Sequence, residues 1–588
     1  MSRLTAFASL GLSIVAFALP AMAAPPLSIR DVAPKSSAIV VGGDDLKAAW
    51  TRLQETPLWG LWSSEEMQAA IKPVLEELRE ASKEMATELG RPDDELSMPA
   101  SFGLAIFTQM DEEIGFERPF VLGFVDWGDD AGSLEIVEAM FDQAEKDGGL
   151  QRTDLKGEVV RVVSLGDEDE EEMDDDFGDP FGMDPMSGLA DFDNIYLMKN
   201  GSRHLLASDL VVLEDLLAAI DGKAVEPIGT TNDFKDTYGL LGDPDVYAML
   251  LTSNLQKMLA SGEAAFMLAT AQPILSQVFG DIRAHAVGMS VDQGGAMVDQ
   301  RLAMTVPGPK KGLLSLITMD TAVEPPPAMV PSDAIGYGRM NIRFDAIVPT
   351  LREIVAGLGE MEREQMEGML MQFAPMMEQA FGAMEPTVRI YNSVRMPVDV
   401  DSMETLVAIP CTDLTRLEPL VAMMGPGMGL MRRDFQGQAI YSDEFSPMAI
   451  GLGQGHLFLG PAAAVEQSLR GVPADDEGLA GAAWAKAALE ALGNERVVGF
   501  GMTDLVEQIR MQREMMKMLG GEMPGFGDMD LDLGDDSGLP SVDMGEIDFE
   551  KMLDPELWKR FTGPAVWDFT VGDRGFTTRS RMMAPAKE

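Results

Sequence analysis

Short apolar runs recur along the chain, and four of them lead into Asp or Asn followed by Leu or Ile. Ile39, Val40 and Val41 precede Asp45 and Leu46, and the run 246–251 precedes Asn254 and Leu255. Ile335, Gly336 and Tyr337 precede Asn341 and Ile342, and the run 497–500 precedes Asp504 and Leu505. Each predicts a strand feeding a helix, with Asp or Asn as an N-cap that accepts orphan backbone N–H groups. Elsewhere the hydrophobic period switches between about 2 and about 3.6. Residues 102–107 and 388–391 read as strands, and 65–89 and 345–384 as long helical segments. Strand pairs mixed with helices, without regular βαβ alternation, predict an α+β fold rather than a doubly wound sheet.

The pattern also reads as one unit written twice. Asp45 aligns with Asn341, Leu134 with Leu414, His204 with His456, Glu214 with Glu466, Asn254 with Asp504 and Arg301 with Arg581. The spacing between partners changes mainly at two acidic insertions, 166–193 and 521–550. The expected organisation is a first α+β copy over 25–320, a Pro-rich linker over 321–332 and a second copy over 333–588. Each copy is expected as a lobe of mainly antiparallel sheet with helices packed on it. Within a copy the expected order is strand, two helices, two strands, helix, two strands, helix, then a strand, helices and a strand pair. The insertions carry blocks of like charge with Gly and Pro, which repel themselves and stay solvated.

Residues 1–24 read as a secretory signal. Arg3 supplies the positive start, 10–19 is an apolar stretch too short to span a bilayer, and Ala21, Met22 and Ala23 form a cleavage site. The mature chain is expected to be exported, periplasmic or secreted; an uncleaved anchor is the alternative. No later run of 18 or more apolar residues predicts a transmembrane segment.

Composition narrows the partners. With 97 acidic and 45 basic residues the formal charge is −52, which repels nucleic acid phosphates. A protein or an apolar ligand remains open as partner. One cysteine, Cys411, excludes an internal disulfide. It follows an apolar run with no His nearby in sequence, which favours a buried strand end over a catalytic thiolate.

Candidate chemistry is sparse, and no cofactor is expected. Asp528, Asp530 and Asp532 alternate as in a calcium loop, but Leu533 stands where that loop needs Gly and Leu539 where it needs Glu. They stand as candidate metal ligands against the plainer reading of a solvated acidic loop. Among 45 methionines, Met366, Met369 and Met376 share a helical stripe with Phe373, and Met511, Met515 and Met518 form another. A core helix is the favoured reading, ahead of an apolar-ligand groove and of a Cu(I) site. His204 and His456 occupy aligned positions and are expected to do the same structural job. His285 is the third histidine. No H-E-x-x-H, C-x-x-C, G-x-S-x-G or P-loop pattern occurs.

The segment Asp31, Val32, Ala33 and Pro34, the run 39–45, Trp50, the trio Thr56, Pro57 and Leu58, and the run 102–107 resemble a family of exported bacterial proteins of unknown function. The resemblance implies an α+β fold and export, and carries over no catalytic residue. The leading expectation is a non-enzymatic binding or scaffold module. A carrier of lipid or another apolar ligand is second, and an exported hydrolase without a recognisable motif is third. A large apolar cavity would favour the carrier; a polar cleft with convergent carboxylates or His would favour the hydrolase.

Overall fold

Runs rich in β-branched and aromatic residues form antiparallel ladders throughout. The computed structural model describes residues 26–88, 96–111, 116–165, 192, 194–223, 226–259, 272, 274–293, 295–395, 398, 402–443, 448–471, 477–518 and 547–586. The first half of the chain forms β1 (Ser37–Gly43), β2 (Ser101–Asp111), β3 (Phe116–Asp126), β4 (Gln151–Leu155) and β5 (Glu158–Ser164). It continues with β6 (Asn194–Asn200), β7 (Arg203–Ala207), β8 (Val246–Leu251), β9 (Ala284–Gln293) and β10 (Ala296–Thr305). After the short β11 (Thr321–Ala322) come β12 (Gly336–Met340), β13 (Val388–Val394), β14 (Met403–Pro410), β15 (Met431–Phe435) and β16 (Gln438–Ser442). The last are β17 (Met448–Gly453), β18 (His456–Pro461), β19 (Arg496–Val497), β20 (Gly499–Thr503), β21 (Ala565–Val571) and β22 (Gly575–Met583).

Twenty of these strands make one sheet, and β11 pairs only with β19. The pairings run β4-β5-β6-β7-β3-β2-β1-β8-β9-β10, then across to β22-β21-β20-β12-β13-β14-β18-β17-β16-β15. The fold is α+β. Read outward from the β10–β22 seam, the strand order of one half repeats that of the other. Between the helix 131–146 and the helix 210–220 there are four strands rather than the expected two. Short, charged β4 and β5 lack the apolar run that would mark them from sequence.

One sheet face is packed by the helices Leu210–Ile220 and Asn232–Leu241 in the first half and Ala462–Arg470 and Ala483–Leu492 in the second. Small side chains such as Ala284, Ala286 and Ala303 let the helix Asn232–Leu241 approach closely. Large ones such as Phe107, Leu205 and Phe500 fill the remaining core, each worth about 1.5–3 kcal/mol on burial. The opposite face is covered toward its two ends, by the helices Ala131–Lys146 and Glu418–Gly427.

Two of the four expected caps form. Asp45 accepts from the Ala48 N–H, and Asp504 accepts from the N–H groups of Val506 and Glu507. The two Asn positions do otherwise. Asn254 lies inside a helix that begins at Thr252, and its amide donates to the carbonyls of Lys35 and Ser37. Asn341 precedes a 3₁₀ turn, and its amide donates to Met319 O and Thr321 Oγ1. An ionised carboxylate only accepts, so it suits an N-cap; an amide also donates, and here it ties down carbonyls from neighbouring segments.

Three further expectations change. The segment 345–384 is broken by Gly357 and Gly359 into the helices Ile347–Ala356 and Glu360–Phe381. The Pro-rich segment expected as a linker is also packed: Val330 is buried, and its carbonyl accepts from the Leu479 N–H. Most of both acidic insertions lies outside the described residues, but 547–550 belongs to the packed structure: Asp548 N–H bonds Ala70 O and its carboxylate caps the helix Phe549–Met552.

The methionine stripe is not core. Met366 and Met369 are exposed, Phe373 and Met376 half-buried, and the covered face of that helix runs instead through Leu370, Ala374, Met377 and Phe381. In the helix Leu505–Met518 it is Met516 that is buried, while Met511 and Met515 are half-buried and Met518 is exposed. Period alone locates a stripe, but an amphipathic helix with methionine on several faces leaves the buried side undetermined. Met369→Ala should therefore change stability by no more than about 0.5 kcal/mol, whereas Met516→Ala should cost about 2–5 kcal/mol. Urea melts of the two variants check the contrast.

The seam carries a buried charge cluster on its helix-packed face. Asp299 accepts three hydrogen bonds of 2.7–3.1 Å from the Arg579 guanidinium and one from Arg301 at 3.3 Å. Beside it, Asp568 accepts from Arg581, which also donates to Ala491 O. Burial pushes the Asp568 carboxyl above the usual carboxylate range in spite of these arginines. Removing Asp299 would strand two guanidinium groups, so Asp299→Ala should cost about 3–5 kcal/mol in urea denaturation.

Candidate functional site

Over the middle of the sheet, on the face away from the four packed helices, lies a trough of about 550 Å³. Strand register builds its floor as two transverse rows. One runs Ile39, Leu250, His285, Met304 and Phe576 across β1, β8, β9, β10 and β22. The other runs Ala248, Val287, Leu302, Thr578 and Phe569, from β8 to β21. Alternation in β9 and β10 explains the split: Ala284, Ala286 and Ala303 face the helices, and the residues between them face the trough. Leu302 is 51% exposed there although its neighbour Ala303 is buried.

The trough is off-centre toward the first half of the sheet. In the next transverse row, Trp567 on β21 lies across Gly501 and Gly338; a Cβ on Gly501 would sit 2.2 Å from its indole nitrogen. The indole fills the space on that side. At the end near His285 and Phe576, the 3₁₀ turn Gly312–Ile317 closes the floor by packing Leu314 and Ile317 with Val306 and Phe569.

Among the described lining residues none is charged, and the hydrogen-bonding side chains are the His285 imidazole and the Thr578 hydroxyl. His285 makes no side-chain hydrogen bond with any described residue. Its ring is exposed to the trough yet ringed by apolar side chains, and this desolvation holds it below the ordinary imidazole pKa.

The other histidines are saturated. Trp127 Nε1 donates to His204 Nδ1 at 3.0 Å, and His204 Nε2 therefore donates to Glu138 at 2.9 Å. Glu138 also accepts from Arg161, which reaches Asp142 as well. Burial raises the Glu138 carboxyl, but the His204 hydrogen bond and the Arg161 charge outweigh it and hold the carboxyl below its usual range. With both nitrogens engaged, His204 pins the helix Ala131–Lys146 to β7 and has no lone pair left to act as a base. His456 Nδ1 donates to Gln454 O, and Nε2 accepts from Arg389 at 3.3 Å. Burial, with help from Arg389, lowers its pKa.

Cys411 is buried beyond the end of β14, and its thiol donates to Ile409 O. Burial pushes the thiol up to about 11, so it stays protonated at neutral pH. Among the described residues, no three His, Cys, Asp or Glu side chains are grouped to hold a metal ion. Asp528, Asp530 and Asp532 lie outside the described residues. No described helix is long and apolar enough to cross a membrane.

Sequence reasoning missed the trough. Its signal is confined to parts of β9 and β10: Val287 and Met289 alternate with Ala286 and Gly288, and Leu302 and Met304 flank Ala303, so both faces there carry apolar or small residues, while Asp299 and Arg301 interrupt the pattern in β10. No protein-family model matches the chain, and no curated protein or solved structure matches it.

The thiol offers a direct check on this packing. Ellman's reagent should label Cys411 slowly in native protein, at a rate that follows the unfolded fraction as urea rises; fast stoichiometric labelling of native protein would contradict the buried, protonated state.

Proposed function

We propose that the protein is a non-enzymatic carrier that binds an apolar ligand in the trough over β1, β8, β9, β10, β22 and β21. The observation that carries this reading is a concavity of about 550 Å³, lined among the described residues by apolar and uncharged side chains, on a sheet whose other face is packed. Volumes of roughly 300–1,000 Å³ lined mainly by apolar groups are characteristic of small-ligand sites. Support also comes from Leu302, an apolar side chain left 51% exposed inside a concavity.

The reading includes export to a periplasmic or extracellular space, where an apolar compound needs a soluble carrier; residues 1–24 support it. It also includes internal duplication, supported by the repeated strand order on the two sides of the seam. A scaffold that docks a protein is the second reading. It draws on the exposed methionines Met423, Met424, Met428 and Met431, since adaptable thioether side chains suit partner surfaces.

Titration with the uncharged fluorophore N-phenyl-1-naphthylamine tests the carrier. Wild-type protein should bind it with enhanced emission. Leu302→Lys should weaken binding by about tenfold or more, since seating the probe would desolvate the new charge. Because Leu302 is exposed, the urea midpoint should hardly move. Unchanged probe binding in Leu302→Lys would exclude the trough as the site.

A further inference from the structure

Building on the carrier reading, we infer that the trough selects an uncharged, chain-like amphiphile whose single hydrogen-bonding head group meets His285. The argument begins with volume: about 550 Å³ accommodates roughly 18 non-hydrogen atoms at about 30 Å³ each, the share of a water-sized group in a liquid. That is the size of a medium to long alkyl chain with a small head.

Charge then sorts the head groups. Among the described residues, no Lys or Arg lines the trough to pair with a carboxylate or phosphate, and no Asp or Glu lines it to pair with an ammonium group. An ionised head seated there would lose its hydration without compensation. The chain's formal charge of −52 further disfavours anions. What the floor does offer is one imidazole whose ring nitrogens bond no described side chain. His285 stands between Leu250 and Met304 in register, at the end closed by the 3₁₀ turn. Neutral imidazole both donates and accepts, so it matches an alcohol, amide or ester head. The second polar group, the Thr578 hydroxyl, lies two strands away, about 10 Å across the floor, so one small head group cannot reach both. Its place among Leu302 and Phe569 puts it beside the chain.

Competition against N-phenyl-1-naphthylamine with 1-decanol, decane, decanoate and decyltrimethylammonium at pH 8 tests this. In wild-type protein, 1-decanol should displace the probe at a concentration about three- to tenfold lower than decane, the range of one neutral hydrogen bond. Decanoate and decyltrimethylammonium should compete more weakly than 1-decanol. With each ligand measured against the variant's own affinity for the probe, His285→Leu should bring 1-decanol level with decane; His285→Gln, which can still donate and accept, should restore the preference. Equal competition by either ion, or an unchanged ranking in His285→Leu, would overturn the head-group assignment while leaving the carrier standing. Failure of wild-type protein to bind the probe at all would overturn both.

Discussion

The antiparallel pairing of β10 with β22 is the constraint on which the molecule depends. Each strand would otherwise be the last of a ten-strand run and would present a row of unpaired N–H and C=O groups, an invitation to aggregation. Joined along most of their lengths, they remove both edges and make one sheet. The Asp299, Arg301 and Arg579 cluster sits on this seam. Ion pairs this buried contribute little net stability, because desolvation opposes their attraction, but a slipped register would strand their charges. The cluster therefore specifies which residues face each other, more than it tightens the contact.

The seam also makes the trough. Four of its floor strands belong to the first half of the chain and two to the second, so neither half builds it alone. The asymmetry between halves has a local cause. Gly501 and Gly338 leave a gap in the second half that the Trp567 indole occupies, and among the described residues no equivalent aromatic lies over Val287 and Leu302. An apolar floor that no described residue covers exposes the protein to self-association. The strongly acidic surface opposes that, since molecules of like charge repel.

Much of the scaffold was legible in the chain. Strand runs such as 102–107 and 388–391, the switching period, and the caps at Asp45 and Asp504 all have local causes, so local pattern revealed them. Other elements were misread where two chemistries share one letter pattern. Asn254 and Asn341 look like caps, but their amides serve distant carbonyls. Met369 fits a core stripe but faces solvent, because Leu370, Ala374, Met377 and Phe381 compete for the same helix and win the packed side.

By itself, then, the sequence determined the α+β class, the antiparallel strands, the acidic surface and the absence of an internal disulfide, because each follows from residue type and short-range period. Tertiary structure alone decided which sheet face carries the trough, that His204 and His456 are saturated while His285 bonds no described side chain, and where Trp567 closes the floor. These depend on register across strands far apart in the chain. A pattern of period two states that side chains alternate, but only the pairing partners decide what each face meets.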